Sequence, residues 1–167
     1  MKIMLKKIVL ILLAVSVMML GACGKKAEKE ESAGMTQIPN PLKEFDTFEE
    51  AAKDAGMNVK FPETVKGLKQ ETFITIKSAD ILEVRYGDNK IYIRVSGSGD
   101  DISGDYNEYK WSASMDKDGY KFTAYGESDT AFTKVTGEKD GHVYSITSEE
   151  TMSIDEIKGI IDAIIIE

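Results

Sequence analysis

The chain has 167 residues, of which 21 are basic and 29 acidic, for a formal net charge of −8 at pH 7. So acidic a surface is repelled by nucleic acid and by anionic lipid headgroups, and no nucleic-acid partner is expected. One Cys and one His supply neither a disulfide framework nor the usual zinc ligands, so no cofactor is expected.

The chain opens with a basic segment, Lys2, Lys6 and Lys7, followed by an apolar run from Ile8 to Leu20 and then Leu20-Gly21-Ala22-Cys23. This is the layout of a secretory signal peptide. Its end resembles the lipobox of bacterial lipoproteins, whose cysteine is acylated with palmitate-type chains and becomes the new N-terminus. A stretch of thirteen residues, apolar but for Ser16, is too short for a spanning helix, which needs about twenty. The expected products are a signal peptide at 1–22, a lipidated Cys23 with a flexible tether at 23–37, and a single domain at 38–167. Residues 1–22 carry three Lys and no acid, so the mature chain keeps 18 basic and 29 acidic residues, a net charge near −11. Its expected place is the extracytoplasmic face of the cell membrane, held by the lipid anchor.

Residues 24–37 are small, polar and without periodicity, as a tether requires. Ile38-Pro39-Asn40-Pro41 is stiff, because each proline holds its predecessor extended. Thr47-Phe48-Glu49-Glu50 fits a capping box, and Gly56 is the expected stop of the helix it opens. Residues 57–70 are read as irregular. The period then changes to two: Ile74 and Ile76; Leu82, Val84 and Tyr86; Ile91, Ile93 and Val95; Tyr109, Trp111, Ala113 and Met115; Tyr120, Phe122 and Ala124. Each group alternates with polar residues, which predicts half-buried strands. Further strands are predicted near 130–136 and 142–147. Ser153-Ile154-Asp155-Glu156 is a second capping box, and Ile154, Ile157, Ile160, Ile161, Ile164 and Ile165 follow at helical spacing. The fold class expected is α+β: a curved antiparallel meander of six or seven strands with N- and C-terminal helices packed on one face.

Few residues carry chemistry. A Ser–His–acid triad would have to use His142, which sits in a predicted strand with nothing at motif spacing around it. Gly97-Ser98-Gly99 follows a strand, but Ile102 stands where a dinucleotide fingerprint needs glycine. No catalytic residue is assigned. The loop from Ser96 to Glu108 is longer than a hairpin needs and gathers Asp100, Asp101 and Asp105, oxygen ligands suited to calcium, though the spacing is not that of an EF-hand. A solvated turn-forming loop is the alternative. Tyr92, Tyr125 and Tyr106 fall opposite the inferred core and are candidates for lining a groove.

Asn40-Pro41-Leu42, the Thr47-x-Glu49-Glu50-Ala51 helix ending in Ala55-Gly56-Met57, Asp101 to Asn107, and Val143 to Ile146 followed by Ser153 to Ile161 resemble a family of small envelope lipoproteins of Firmicutes. Their shared extracytoplasmic domain has no established function. The resemblance implies an α+β domain and brings no catalytic residues.

The expectation is therefore a non-enzymatic lipoprotein whose domain binds an envelope protein, peptide or lipid ligand. One alternative is a carrier or sensor of lipid-like ligands in the concavity of the sheet. Another is a hydrolase of envelope polymers that works through paired carboxylates.

Overall fold

The structure is a computed structural model, and it describes residues 40–117 and 119–167. The described residues form one compact unit. Cys23, the leader and the tether lie outside the described residues. No helix among the described residues is long and apolar enough to cross a membrane.

The described residues form eleven strands and two α-helices, of eight and ten residues. They are β1 (Leu42–Phe45), α1 (Phe48–Ala55), β2 (Val59–Lys60), β3 (Thr64–Val65), β4 (Leu68–Ile76), β5 (Ile81–Tyr86), β6 (Ile91–Ser96), β7 (Trp111–Lys117), β8 (Tyr120–Ser128), β9 (Ala131–Lys139), β10 (His142–Met152), α2 (Ile154–Ala163) and β11 (Ile165–Ile166). The expected α+β class with an antiparallel sheet holds. The details differ in three ways.

First, the main sheet has nine strands, in the order β1-β4-β5-β6-β10-β9-β8-β7, with β3 added on β4. It is two meanders rather than one. β4-β5-β6 run in order, but residues 97–110 then carry the chain to the far edge. From there β7-β8-β9-β10 return by short links until β10 pairs with β6. The long loop is a crossover, which explains its length. Second, the helices are not the terminal elements: β1 precedes α1, and β11 follows α2. Ile164 leaves the helix in an extended conformation, and Ile165 pairs with Lys60 of β2. β-branched residues extend readily once the apolar face of the helix is docked. Third, residues 57–70, irregular by sequence pattern, hold β2, β3 and the start of β4.

The helix at Thr47 forms the hydroxyl half of its expected capping box, and the helix at Ser153 forms both halves. Thr47 Oγ1 accepts the Glu50 amide at 3.3 Å, and Gly56 closes α1 at φ +68. α1 is pinned by Asp54, which takes Lys43 Nζ of β1 at 2.6 Å and the Thr75 hydroxyl of β4 at 2.9 Å. The Lys43 bond holds the Asp54 carboxyl below its ordinary value.

The sheet has two unlike faces. On one, Leu82, Val84, Ile93, Val95, Tyr144, Ile146 and Val135 join Ala51 of α1 and Ile157, Ile160 and Ile161 of α2 in a single apolar cluster. Each fully buried aliphatic side chain there contributes about 1.5–3 kcal/mol. The other face carries the polar members of the same strands and the crossover.

Candidate functional site

The register brings one row of polar side chains across the second face. Glu83 of β5 stands opposite Arg94 of β6, then follow Ser145 of β10, Thr136 of β9, Thr123 of β8 and Ser114 of β7. A neighbouring row runs Arg85, Tyr92, Thr147, Lys134, Tyr125 and Ser112. Strand alternation alone would send both rows into water. Instead the crossover lies over their middle as a strap.

Its foothold is Ile102, which packs against Ile81, Val143 and Ile76 in a small second apolar cluster. The polar groups beneath are paired. Glu83 is 0 % exposed, with Arg85 Nε and Arg94 Nε each 2.5 Å from one of its carboxylate oxygens. Arg94 Nη1 continues to the carbonyls of Ile102 (2.9 Å) and Ser103 (2.7 Å). So one guanidinium links the buried acid to the strap backbone, the forked geometry for which Arg is suited and Lys is not. These two are the only arginines in the chain. Gly104 follows at φ +67, and a Cβ there would lie 2.6 Å from Arg94 Nη1, so conformation and close approach both call for glycine.

Lys134 is the second clamp. It is 7 % exposed, lies 5.4 Å from the centre of the Tyr125 ring, and gives Nζ to the Asp105 carbonyl and an Asp101 carboxylate oxygen, each at 2.7 Å. The strap also ties itself. The Asp101 carboxylate accepts the Ser103 amide, the Ser103 hydroxyl accepts the Asp105 amide, and the Asp105 carboxylate accepts the Asn107 amide and the Tyr109 hydroxyl. Burial by itself would raise both carboxyls. Hydrogen bonds from Lys134 and Ser103 to Asp101, and from Tyr109 and Asn107 to Asp105, outweigh it and hold both below their ordinary values. The Tyr109 hydroxyl is raised by its burial and by the bond to Asp105.

Two of the three aspartates named as calcium candidates are engaged within the protein. Asp101 and Asp105 are already used as acceptors by the protein's own groups, and among the described residues no cluster of His, Cys, Asp or Glu could hold a metal ion. Asp100 is exposed and turned to the rim of the strap. Tyr92 lies under Arg85, with the guanidinium carbon 5.0 Å from its ring centre, and Tyr125 packs against Tyr109 at 6.0 Å, so both are part of the support for the strap. Tyr106 is 95 % exposed at its crest. His142 begins β10 with Nδ1 3.2 Å from the Asp140 carbonyl oxygen. On the apolar face of the sheet, the side on which a lipid-like ligand was expected, Ile93, Tyr144 and Ile146 share one buried cluster with Ile157 and Ile161 of α2.

The strap fails to cover one end of the polar face. There, between Asp100 and the β7–β8–β9 strands, lies an open depression of about 510 Å³ lined by Ser114, Asp116, Lys121, Thr123, Thr136 and Glu138 among others. The Ser114 and Thr123 hydroxyls are 3.0 Å apart, and Lys121 pairs with Glu138 at 2.9 Å. Next along the row from Thr136, the Ser145 hydroxyl is buried without a hydrogen-bond partner. Hydroxyls that both donate and accept, flanked by three acids and one paired amine, suit a polar ligand rich in hydroxyls or amides.

Acid should release the strap. Asp101 and Asp105 have lowered values in the folded chain, so their contribution to docking is complete above the ordinary carboxylate value of about 3.9 and fades as pH falls through the lowered folded values. Between pH 5 and pH 2 the amide resonances of Ser103 and Asn107 should move upfield and lose exchange protection before those of β5 and β6. Loss of protection in β5 and β6 at a higher pH than any change at the Ser103 and Asn107 amides would show that the carboxylates do not hold the strap.

Sequence reasoning missed Glu83, Arg85, Arg94 and Lys134. The only signal for them was the use of arginine at just two positions, on adjacent strands but out of register, Arg94 opposite Glu83 and Arg85 opposite Tyr92. No family model, no curated protein and no solved structure matches this chain.

Proposed function

We propose that the chain is a bacterial lipoprotein, akin to the small Firmicutes envelope lipoproteins, held at the extracytoplasmic face of the cell membrane by acyl chains on Cys23. Its domain acts without catalysis, as a binding or interaction module for an envelope peptide, glycan or protein. The observation that carries the anchoring is the order basic segment, thirteen-residue apolar run, Leu-Gly-Ala and the single cysteine of the chain. What favours binding on the polar face is its construction. A buried charged layer fixes the strap, and the strap ends beside a hydroxyl-lined depression. Of the three carboxylates that line it, Asp100, Asp116 and Glu138, the last is paired with Lys121 at 2.9 Å.

The test is the intact mass of the protein extracted from membranes of a bacterial host. The expected product begins at residue 23 and carries a diacylglyceryl group, and Cys23→Ala moves the protein out of the processed membrane fraction. A chain that keeps residues 1–22 with an unmodified Cys23 would overturn the assignment.

A further inference from the structure

β7 is the last strand of the sheet, on the edge remote in strand order from β1, where the chain enters the domain. Its seven residues, Trp111–Lys117, contain no proline and form no bulge against β8, two of the usual devices that spoil an edge for pairing, and its two charges, Asp116 and Lys117, are confined to one end. The β7–β8 hairpin closes with Lys117 opposite Tyr120. In so short a hairpin the closing pair exchanges both hydrogen bonds, and the pattern then alternates. Trp111, Ala113, Met115 and Lys117 therefore bond inward to β8, while the backbone groups of Ser112, Ser114 and Asp116 point away from the sheet.

The geometry points to a second copy of this chain as the occupant of that edge, joined by antiparallel β7–β7 pairing about a dyad at Ser114. The reason is self-complementarity. About that dyad Ser114 faces Ser114, Ser112 faces Asp116, Ala113 faces Met115 and Trp111 faces Lys117. The outward backbone groups pair among themselves, with six hydrogen bonds inside the strand. Moving the centre to Ala113 would leave Asp116 facing Lys110, which lies outside the strand, and reduce the bonds to four. No like charges meet. β7 carries one acid and one base and is locally neutral in an otherwise acidic chain, which removes the repulsion that opposes association elsewhere. Trp111, the only tryptophan, is 52 % exposed on this edge. A half-exposed indole at a sheet edge is the kind of anchor that drives association, and in the dimer it is covered by the lysine stem of the other copy. Lys117 keeps its contacts with Tyr120 and Asp162. An antiparallel dyad stands perpendicular to the sheet. It therefore puts both polar faces on the same side, with the two depressions flanking the axis, because Ser114 and Asp116 line them.

The full-length chain in mild detergent should sediment at twice the protomer mass at micromolar concentration, and its tryptophan emission should shift to the red on dilution. Ser114→Cys should form a disulfide-linked dimer on mild oxidation, because facing residues in a hydrogen-bonded pair have Cα atoms about 5.5 Å apart. Ser112→Cys, whose copies would stand about 14 Å apart along the strands, should cross-link no more than the wild-type chain, which controls for Cys23. Ser114→Pro removes an outward amide that β8 does not use. It should give a monomer that still melts cooperatively. A wild-type monomer at 100 μM, or equal cross-linking of Ser112→Cys and Ser114→Cys above the wild-type level, would overturn the proposal.

Discussion

Glu83→Ala is expected to lower the unfolding free energy by about 3–5 kcal/mol, the usual loss when one partner of a buried ion pair is removed. The whole stability of a domain of this size is about 5–15 kcal/mol, so the variant should be close to unfolding in mild urea. The size of the effect comes from what remains. Glu83 is fully buried, and both of its oxygens are used, one by each arginine. Without it two guanidinium groups stay under the strap with no counter-charge, and Arg94 is still drawn toward the carbonyls of Ile102 and Ser103. The comparison that isolates charge from packing is the triple replacement Glu83→Met, Arg85→Leu, Arg94→Leu, which removes all three ions together. It should recover most of the lost stability, since a buried ionic triad exchanged for apolar side chains is commonly neutral or better. It should still loosen the strap, because the two bonds from Arg94 to the strap carbonyls go with it. Urea titration of the three proteins decides the matter. A loss below about 1 kcal/mol for Glu83→Ala, the range of an exposed pair, would mean that Glu83 is hydrated in solution.

Glu83 also shows where the sequence ran out. Alternation of Leu82, Val84 and Tyr86 with Glu83 and Arg85 locates a strand and names its core face correctly, and the structure puts all three apolar residues in the main cluster. Alternation says nothing about what covers the other face, because a polar residue suits water and a strap equally well in pattern. The strap is a product of strand order. Short links made neighbours of β4, β5 and β6, and again of β7 to β10, and those pairings were legible. Residues 97–110 carried no local signal for where they end, and the pairing of β6 with β10 depends on contacts between residues about fifty positions apart. The same limit hid β1 and β11, which are too short to show a period and exist only because β4 and β2 accept them. Capping was legible, since a hydroxyl followed three residues on by a carboxylate satisfies its amides locally. The aspartates of the loop were legible as a group, but their role was not. An Asp that accepts the amide two residues on and one that binds a cation look alike in sequence.

Ile161→Asp should abolish cooperative folding. Ile161 is fully buried, as are Ile157 and Ile164, and all three belong to the cluster that holds Ile93, Tyr144 and Ile146 of the sheet. Truncating such a side chain costs about 2–5 kcal/mol through lost burial and the cavity left behind. A carboxylate in its place must stay charged in an apolar site or take up a proton to enter it, and either adds several kcal/mol more. The sum reaches the whole stability of the domain. α2 does not have the option of lifting off by itself at small cost. Lys139 of β9 caps its C-terminus, with Nζ 2.7 Å from the Ile161 carbonyl and a second bond to that of Ile164. Lys66 bonds the Thr151 carbonyl just before the helix at 2.9 Å, and β11 beyond it pairs with β2. Undocking the helix would expose the apolar face of the sheet and break these ties together. The conservative control is Ile161→Val, which should lose about 0.5–1.5 kcal/mol and keep a sharp transition. Far-ultraviolet circular dichroism during heating, with dye binding to exposed apolar surface, reads both. If Ile161→Asp melts as sharply as the wild type and binds no more dye, the isoleucine stripe of α2 is not what closes the core.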